Sequence, residues 1–191
     1  MTLLFGYLGC MLLVAALTAW CAGRSRFRMV LALTSGALLL VPLGELLAVE
    51  YVRAAVGDPS IVTQMLLAAF VVGYRADRRQ LGAIMATALG GAVFLYPAAL
   101  GLTQFDPYAL GYASPYFVAA LAALTVAAWY LRLEWLAACL LVAVAAKVAG
   151  VLESRNLWDY LVDPLLVFYA AFWFCRMALQ KRVTAAAPST P

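Results

Sequence analysis

Residues Leu81 to Leu100 read LGAIMATALGGAVFLYPAAL, twenty consecutive positions without a formally charged side chain. A transmembrane helix needs about 20 predominantly apolar residues to cross the hydrocarbon core of a bilayer. This segment therefore predicts a membrane-spanning helix. Its small residues recur at every fourth position, at Gly82, Ala86 and Gly90, and such a row predicts a close contact with another helix.

The composition of the whole chain favours the same environment. Of its 191 residues, 67% are hydrophobic and 12% are charged, whereas an ordinary globular protein is roughly half apolar and about a quarter charged. We therefore predict an all-α fold, a polytopic membrane helix bundle. Charged residues divide the chain into seven apolar segments: Leu3–Ala22, Met29–Val49, Pro59–Tyr74, Leu81–Leu100, Pro115–Leu131, Trp135–Leu152 and Pro164–Met177.

The basic residues predict the orientation of this bundle. Ten of the 13 cations follow the first, third, fifth and seventh segments, and short basic loops stay in the cytoplasm. The amino terminus is therefore expected outside and the carboxyl terminus inside, in the inner membrane of a bacterial cell. Residues 1–182 are expected to form the bundle, and residues 183–191 a disordered cytoplasmic tail, because they have little to bury.

The absence of histidine excludes several kinds of site. It removes histidine-ligated zinc, haem with two histidine ligands, and Ser-His or Cys-His nucleophile pairs. We expect no metal and no cofactor. The basic excess is a topology signal without a basic-aromatic patch, so no nucleic-acid partner is expected. Membrane lipid is the expected partner, and both self-association and a membrane partner subunit stay open.

Three Asp-Pro pairs lie in the predicted outer loops: Asp58-Pro59, Asp106-Pro107 and Asp163-Pro164. An aspartate that precedes a helix accepts its free backbone N–H groups, and a proline in the first position has no N–H to satisfy. Each pair therefore predicts a helix start. The alternative is a metal site built from the three carboxylates.

Two ionisable residues fall inside predicted spans, Glu45 in the second and Lys147 in the sixth. Each lies about five residues, or roughly 7–8 Å, below the outer boundary. Gln64 of the third segment joins that layer. Because charge inside a membrane is costly and often functional, we predict an outward-facing polar vestibule with Glu45 and Lys147 paired or nearly paired. The alternative is that both side chains snorkel or form a structural ion pair.

Two outer segments, residues 104–112 and 153–160, combine aromatic with hydrogen-bonding side chains. Aromatic rings beside carboxylates and amides suit a sugar or a polar headgroup, because rings cover apolar faces while polar groups bind hydroxyls. The membrane interface also favours such residues. The candidate binding residues are Asp106, Tyr108, Glu153, Asn156, Trp158 and Asp159.

These features leave three functions open. The first is permease-like transport of a polar solute or proton, which the buried charges favour. The second is a non-catalytic membrane subunit of a cell-envelope assembly, which binds a lipid-linked glycan, a lipid headgroup or a partner protein. The third is a membrane enzyme with Glu153, Asp159 or Asp163 as acid or base, but no nucleophile or phosphate cradle accompanies these residues.

Overall fold

The computed structural model describes residues 2–186, with the side chains of residues 4–112 and 114–180. Within this range the chain forms ten helices and one antiparallel two-stranded hairpin. The predicted all-α class is confirmed. The elements are α1 Thr2–Ala22, α2 Arg28–Leu38, β1 Pro42–Leu43, β2 Leu46–Leu47, α3 Ala48–Val56, α4 Ile61–Val71, α5 Arg78–Ala99, α6 Leu110–Ala113, α7 Pro115–Tyr130, α8 Glu134–Ala149, α9 Trp158–Leu161 and α10 Pro164–Ala186.

Two of the described helices are long and apolar enough to cross a bilayer. They are the Leu4–Ala22 part of α1 and the whole of α5. Helices α2, α4 and α7 are also apolar but have fewer than 18 residues. By length and composition the protein is thus helical with two helices that could span a membrane.

The second predicted segment, Met29–Val49, is wrong as a single helix. Helix α2 stops at Leu38, because Pro42 has no N–H to donate and its ring would clash with the Leu38 carbonyl. The chain turns back instead, so that Pro42 pairs with Leu47 across the hairpin. Gly44 in the turn has a φ of 73°, a conformation that favours glycine. Pro42 therefore ends helix α2 and begins the hairpin.

The sequence predicts the end of the bundle at residue 182. Helix α10 continues through Ala186, so residues 183–186 are helical. The rest of the predicted tail, residues 187–191, lies outside the described residues.

The loops at one end of the bundle, which we call the acidic end, comprise residues 57–60, 100–114 and 150–163. The Ser60 N–H donates to Oδ2 of Asp163 over 3.0 Å, and the Leu157 N–H donates to the Gly111 carbonyl over 2.9 Å. These bonds bring together loops that are far apart in the chain. All of the predicted outer-loop candidates therefore lie at the same end of the molecule.

The opposite end, which we call the basic end, comprises residues 23–27, 72–77 and 131–133. The guanidinium of Arg28 donates to the Phe70 carbonyl over 2.6 Å, and Arg79 donates to the Leu131 carbonyl over 2.8 Å. Arginines at this end thus bind backbone carbonyls at the C-terminal ends of helices α4 and α7.

Two apolar clusters hold the helices together. The larger lies among α4, α5, α7, α8, α9 and α10 and contains the fully buried Met85, Cys139 and Tyr160. The smaller lies among α1, α2 and α4 and is built mostly of alanines. A Cβ on Gly36 would lie 3.0 Å from the Met11 carbonyl oxygen, so this glycine permits the close approach of α1 and α2.

Candidate functional site

Two loops of the acidic end are joined by side-chain hydrogen bonds. The Tyr108 hydroxyl donates to Oδ2 of Asp159 over 2.8 Å, and the Asn156 side-chain amide donates to the Tyr108 carbonyl over 2.8 Å. We call residues 105–112 and 153–160 the loop platform. The structure thus brings together predicted candidates from both outer segments.

Asn156 and Trp158 form the interior of the loop platform. Oδ1 of Asn156 accepts from the Trp158 backbone N–H over 3.0 Å, and the Trp158 indole N–H donates to the Pro107 carbonyl over 2.9 Å. Asn156 is fully buried and Trp158 is 6% exposed. Their polar atoms therefore bind other platform residues, and these two side chains position the loops.

Asp159 is the acceptor at the centre of the loop platform. It receives the hydroxyl of Ser154 as well as that of Tyr108. Burial raises the pKa of the Tyr108 phenol, and the hydrogen bond to Asp159 raises it further. Tyr108 is therefore protonated at neutral pH and serves as a hydrogen-bond donor.

The exposed side chains of the loop platform include aromatic and acidic residues and one arginine, Arg155. Tyr112 is 53% exposed and packs edge-on against Tyr108, with ring centroids 5.7 Å apart. Phe105, Asp106 and Glu153 are also exposed. A molecule that approaches this end would meet two aromatic rings, two carboxylates and the guanidinium of Arg155.

Arg53 connects the loop platform to α3. Its Nη2 lies 2.9 Å from Oε2 of Glu153 and also donates to Oδ2 of Asp58 over 2.7 Å. The hydrogen bond to Asp58 raises the pKa of Arg53. The guanidinium thus neutralises part of the charge of both carboxylates.

The three Asp-Pro pairs have different roles. The Leu166 N–H donates to Oδ1 of Asp163 over 3.0 Å, so the predicted helix start at Asp163-Pro164 is confirmed. Asp106 accepts the N–H of Tyr108 over 2.9 Å in a turn that precedes α6. The prediction for Asp58 is wrong, because Asp58 binds Arg53 while Ser60 caps α4. Among the described residues, no three His, Cys, Asp or Glu side chains are grouped to hold a metal ion.

The predicted vestibule residues lie in different structural elements. Glu45 is exposed in the turn of the hairpin and lies in no helix, while Lys147 is half-buried in the last turn of α8. Among the described side chains, both ion pairs belong to Arg53, so no ion pair joins Glu45 to Lys147. Gln64 is buried, and its amide donates to the Pro59 carbonyl over 2.9 Å.

An apolar cavity of about 690 Å³ separates α5 from α7. These two helices are consecutive long helices, yet α7 packs on α8 and makes little contact with α5. We call this space the crevice. Cys139 and Leu140 of α8 line it, and Trp158 closes it at the acidic end.

The row of small residues on α5, Gly82, Ala86 and Gly90, predicted a close helix contact along its whole length, and the crevice shows where that contact is missing. A Cβ on Gly82 would lie 3.1 Å from the ring of Trp173, as expected for a close helix contact. A Cβ on Gly90 would have no heavy atom within 4 Å. One end of the row is therefore packed against α10, and the other faces open space.

Comparison with known proteins adds no information on function. The chain matches no protein-family model, and no curated protein and no solved structure shows significant similarity to it. The loop platform and the crevice are therefore the features from which its function is inferred.

Proposed function

We propose that the protein is a multi-pass protein of the bacterial inner membrane whose loop platform binds the polar headgroup of a lipid without chemical conversion. The observation that carries this proposal is the loop platform itself. A hydrogen bond joins the two loops from Tyr108 to Asp159, which are 51 residues apart in the chain. Aromatic and acidic side chains of the same loops stay exposed. Such a protein would serve as a non-catalytic subunit of a cell-envelope assembly.

Exposed apolar side chains on the long helices support the membrane placement. Val93 of α5 is 72% exposed and Phe168 of α10 is 74% exposed, and Leu17 and Val126 are exposed on α1 and α7. Soluble monomers rarely expose contiguous apolar patches larger than a few hundred Å². A bilayer would cover these side chains, with the basic end in the cytoplasm and the acidic end outside.

The exposed groups of the loop platform favour a hydroxyl-rich headgroup. The Phe105 and Tyr112 rings can cover the apolar face of a sugar, while the Asp106 and Glu153 carboxylates accept hydrogen bonds from its hydroxyls. Acidic residues outnumber basic ones at this end, which disfavours a headgroup that carries only phosphate. A glycolipid or a lipid-linked glycan is the ligand class that fits best.

Transport ranks second as a proposal. It retains Lys147 and Gln64 as candidate pathway residues. The transport hypothesis depended on a pair between Glu45 and Lys147, and Glu45 is exposed in the hairpin turn. No contact between Glu45 and Lys147 supports an ion pathway.

The test of headgroup binding is a comparison of two tyrosine variants. The protein is placed in phosphatidylglycerol nanodiscs that contain a diglycosyl diacylglycerol, and native mass spectrometry counts the bound glycolipid. Tyr112→Ala should lower retention about three- to tenfold, because an aromatic contact contributes about 0.5–1.5 kcal/mol. Tyr130→Ala is the control, since Tyr130 is 85% exposed at the basic end. Equal retention of glycosylated and plain diacylglycerol by the unmodified protein would contradict the proposal.

A further inference from the structure

The walls of the crevice offer almost no hydrogen-bonding groups. Thr87 is one of the few polar side chains that line it, and its hydroxyl already donates to the Ala83 carbonyl over 2.9 Å. The indole N–H of Trp158 is bound to the Pro107 carbonyl. A ligand in this space would therefore be held by apolar contact, which suits a hydrocarbon.

The crevice opens sideways, on the flank of the bundle. Gly90 on α5 and Ala120 and Leu124 on α7 all line it and are all exposed. Val93 and Val118, on the same two helices, are exposed as well. In the proposed membrane placement this flank faces lipid, so an occupant would enter from the bilayer.

The depth of the crevice matches one leaflet. Its lining residues on α5 run from Ile84 to Phe94, which is about 15 Å along a helix axis. The hydrocarbon core of a bilayer is about 30 Å thick, so one leaflet accounts for half of it. The crevice would thus extend from the loop platform to about the middle of the membrane.

Trp158 connects the crevice with the loop platform. Its ring packs against Phe117, with centroids 4.5 Å apart, and its indole N–H binds the Pro107 carbonyl of the platform. A molecule with one end on the platform and the other in the crevice would pass beside this side chain. A lipid has such a shape, with a polar headgroup and an apolar chain.

We propose that the crevice binds one acyl chain of an outer-leaflet lipid. This assignment rests on the proposed function, because it requires the membrane placement and identifies the headgroup and the chain as parts of one ligand. The cavity of about 690 Å³ lies within the range of about 300–1,000 Å³ that is usual for ligand sites. The acyl chain would fill the space between α5 and α7 that no side chain fills.

The test uses the fluorescence of Trp158. The other four tryptophans, Trp20, Trp129, Trp135 and Trp173, are changed to phenylalanine, and the protein is placed in nanodiscs of phosphatidylcholine with brominated acyl chains. Bromine quenches indole fluorescence at short range. Gly90→Leu and Ala120→Leu should each lower the quenched fraction by about half or more, because their side chains fill the space of the acyl chain. Neither should prevent folding, since Gly90 faces open space and Ala120 is exposed.

Ala119→Leu is the matched control. Ala119 is the neighbour of Ala120 and is also exposed, but it does not line the crevice. Its quenching should equal that of the parent protein. Equal quenching in all three leucine variants would overturn the proposal, and so would a tightly bound second protein that excludes lipid from the crevice.

Two further measurements separate this proposal from the previous one. Tyr112→Ala should leave the quenching of Trp158 unchanged, because Tyr112 does not line the crevice. Quenching that depends on Gly90, without any preference for glycosylated lipid, would overturn headgroup binding and retain the acyl-chain site. If the single-tryptophan protein does not fold, lipids bound to Gly90→Leu and Ala119→Leu with all five tryptophans are counted by native mass spectrometry. Equal numbers would then overturn the acyl-chain site.

Discussion

Replacing Gly111 with alanine is expected to disrupt the loop platform. A Cβ at this position would lie 1.7 Å from Oδ1 of Asn156 and 2.7 Å from Cδ1 of Trp158. Both side chains are buried, so the two loops would have to separate and break the bonds to Tyr108 and Pro107. We expect a loss of about 3 kcal/mol or more, from overpacking and from buried polar groups left without partners.

The measurement for Gly111→Ala is the midpoint of thermal unfolding of the purified protein in detergent. Gly90→Ala is the control, because its Cβ meets no atom within 4 Å and alanine is a better helix former by about 1 kcal/mol. Its midpoint should not fall. Asn156→Ala combined with Gly111→Ala should cost less than the sum of the single changes, because Asn156→Ala removes the amide with which the new Cβ clashes. An unchanged midpoint for Gly111→Ala would contradict the contact between the loops.

The sequence predicted most helix positions well, because charges and prolines mark where apolar helices end. The predicted segment Leu81–Leu100 contains most of α5, Arg78–Ala99, and the predicted start at Pro115 is the first residue of α7. The alternation of basic and acidic loops also matches the two ends of the bundle. These features depend on local composition, which can be determined from a single sequence.

The hairpin after α2 could not be predicted from hydropathy, because it depends on hydrogen bonds between residues on the two sides of the turn. A proline within an apolar segment either bends a helix or ends it, according to whether the backbone carbonyls that precede it find donors outside the helix. Here the Val41 carbonyl accepts the Ala48 N–H over 3.0 Å, and the Leu39 carbonyl accepts the Val49 N–H over 2.8 Å. Both donors come after the turn. The location of Glu45, and with it the predicted vestibule, depended on this detail.

The sequence predicted which residue types form the candidate site, but it did not predict how these residues are arranged. Tyr108, Asn156, Trp158 and Asp159 were selected because such side chains bind polar ligands, and the structure uses the same hydrogen-bonding capacity to join the loops. The crevice was not predictable, because the spacing of small residues identifies a helix face without identifying its neighbour. Whether a helix covers that face depends on the path of the loop from α5 to α7.

Asp163→Ala is expected to be the most destabilising single change at a buried polar residue. Asp163 is buried, and its carboxylate accepts the Ser60 N–H, the Thr63 hydroxyl and the Leu166 N–H. It therefore caps α10 and joins that helix to the start of α4. Loss of the cap costs about 1 kcal/mol, and two buried donors without a partner cost about 1–3 kcal/mol each. The expected loss is about 3–7 kcal/mol from these terms together.

The control for Asp163→Ala is Asp106→Ala, because Asp106 also accepts two backbone N–H groups but is exposed. Water can replace that carboxylate, so thermal unfolding in detergent should show a loss of about 1 kcal/mol or less. A second substitution distinguishes the energetic cost of the lost hydrogen bonds from the cost of the lost side-chain volume at Asp163. Thr63→Val should cost less in the Asp163→Ala background than in the parent protein, since a hydroxyl that has lost its acceptor no longer stabilises the fold. Equal costs in the two backgrounds would mean that Asp163 and Thr63 act independently, and α4 would then be held to α10 by apolar packing alone.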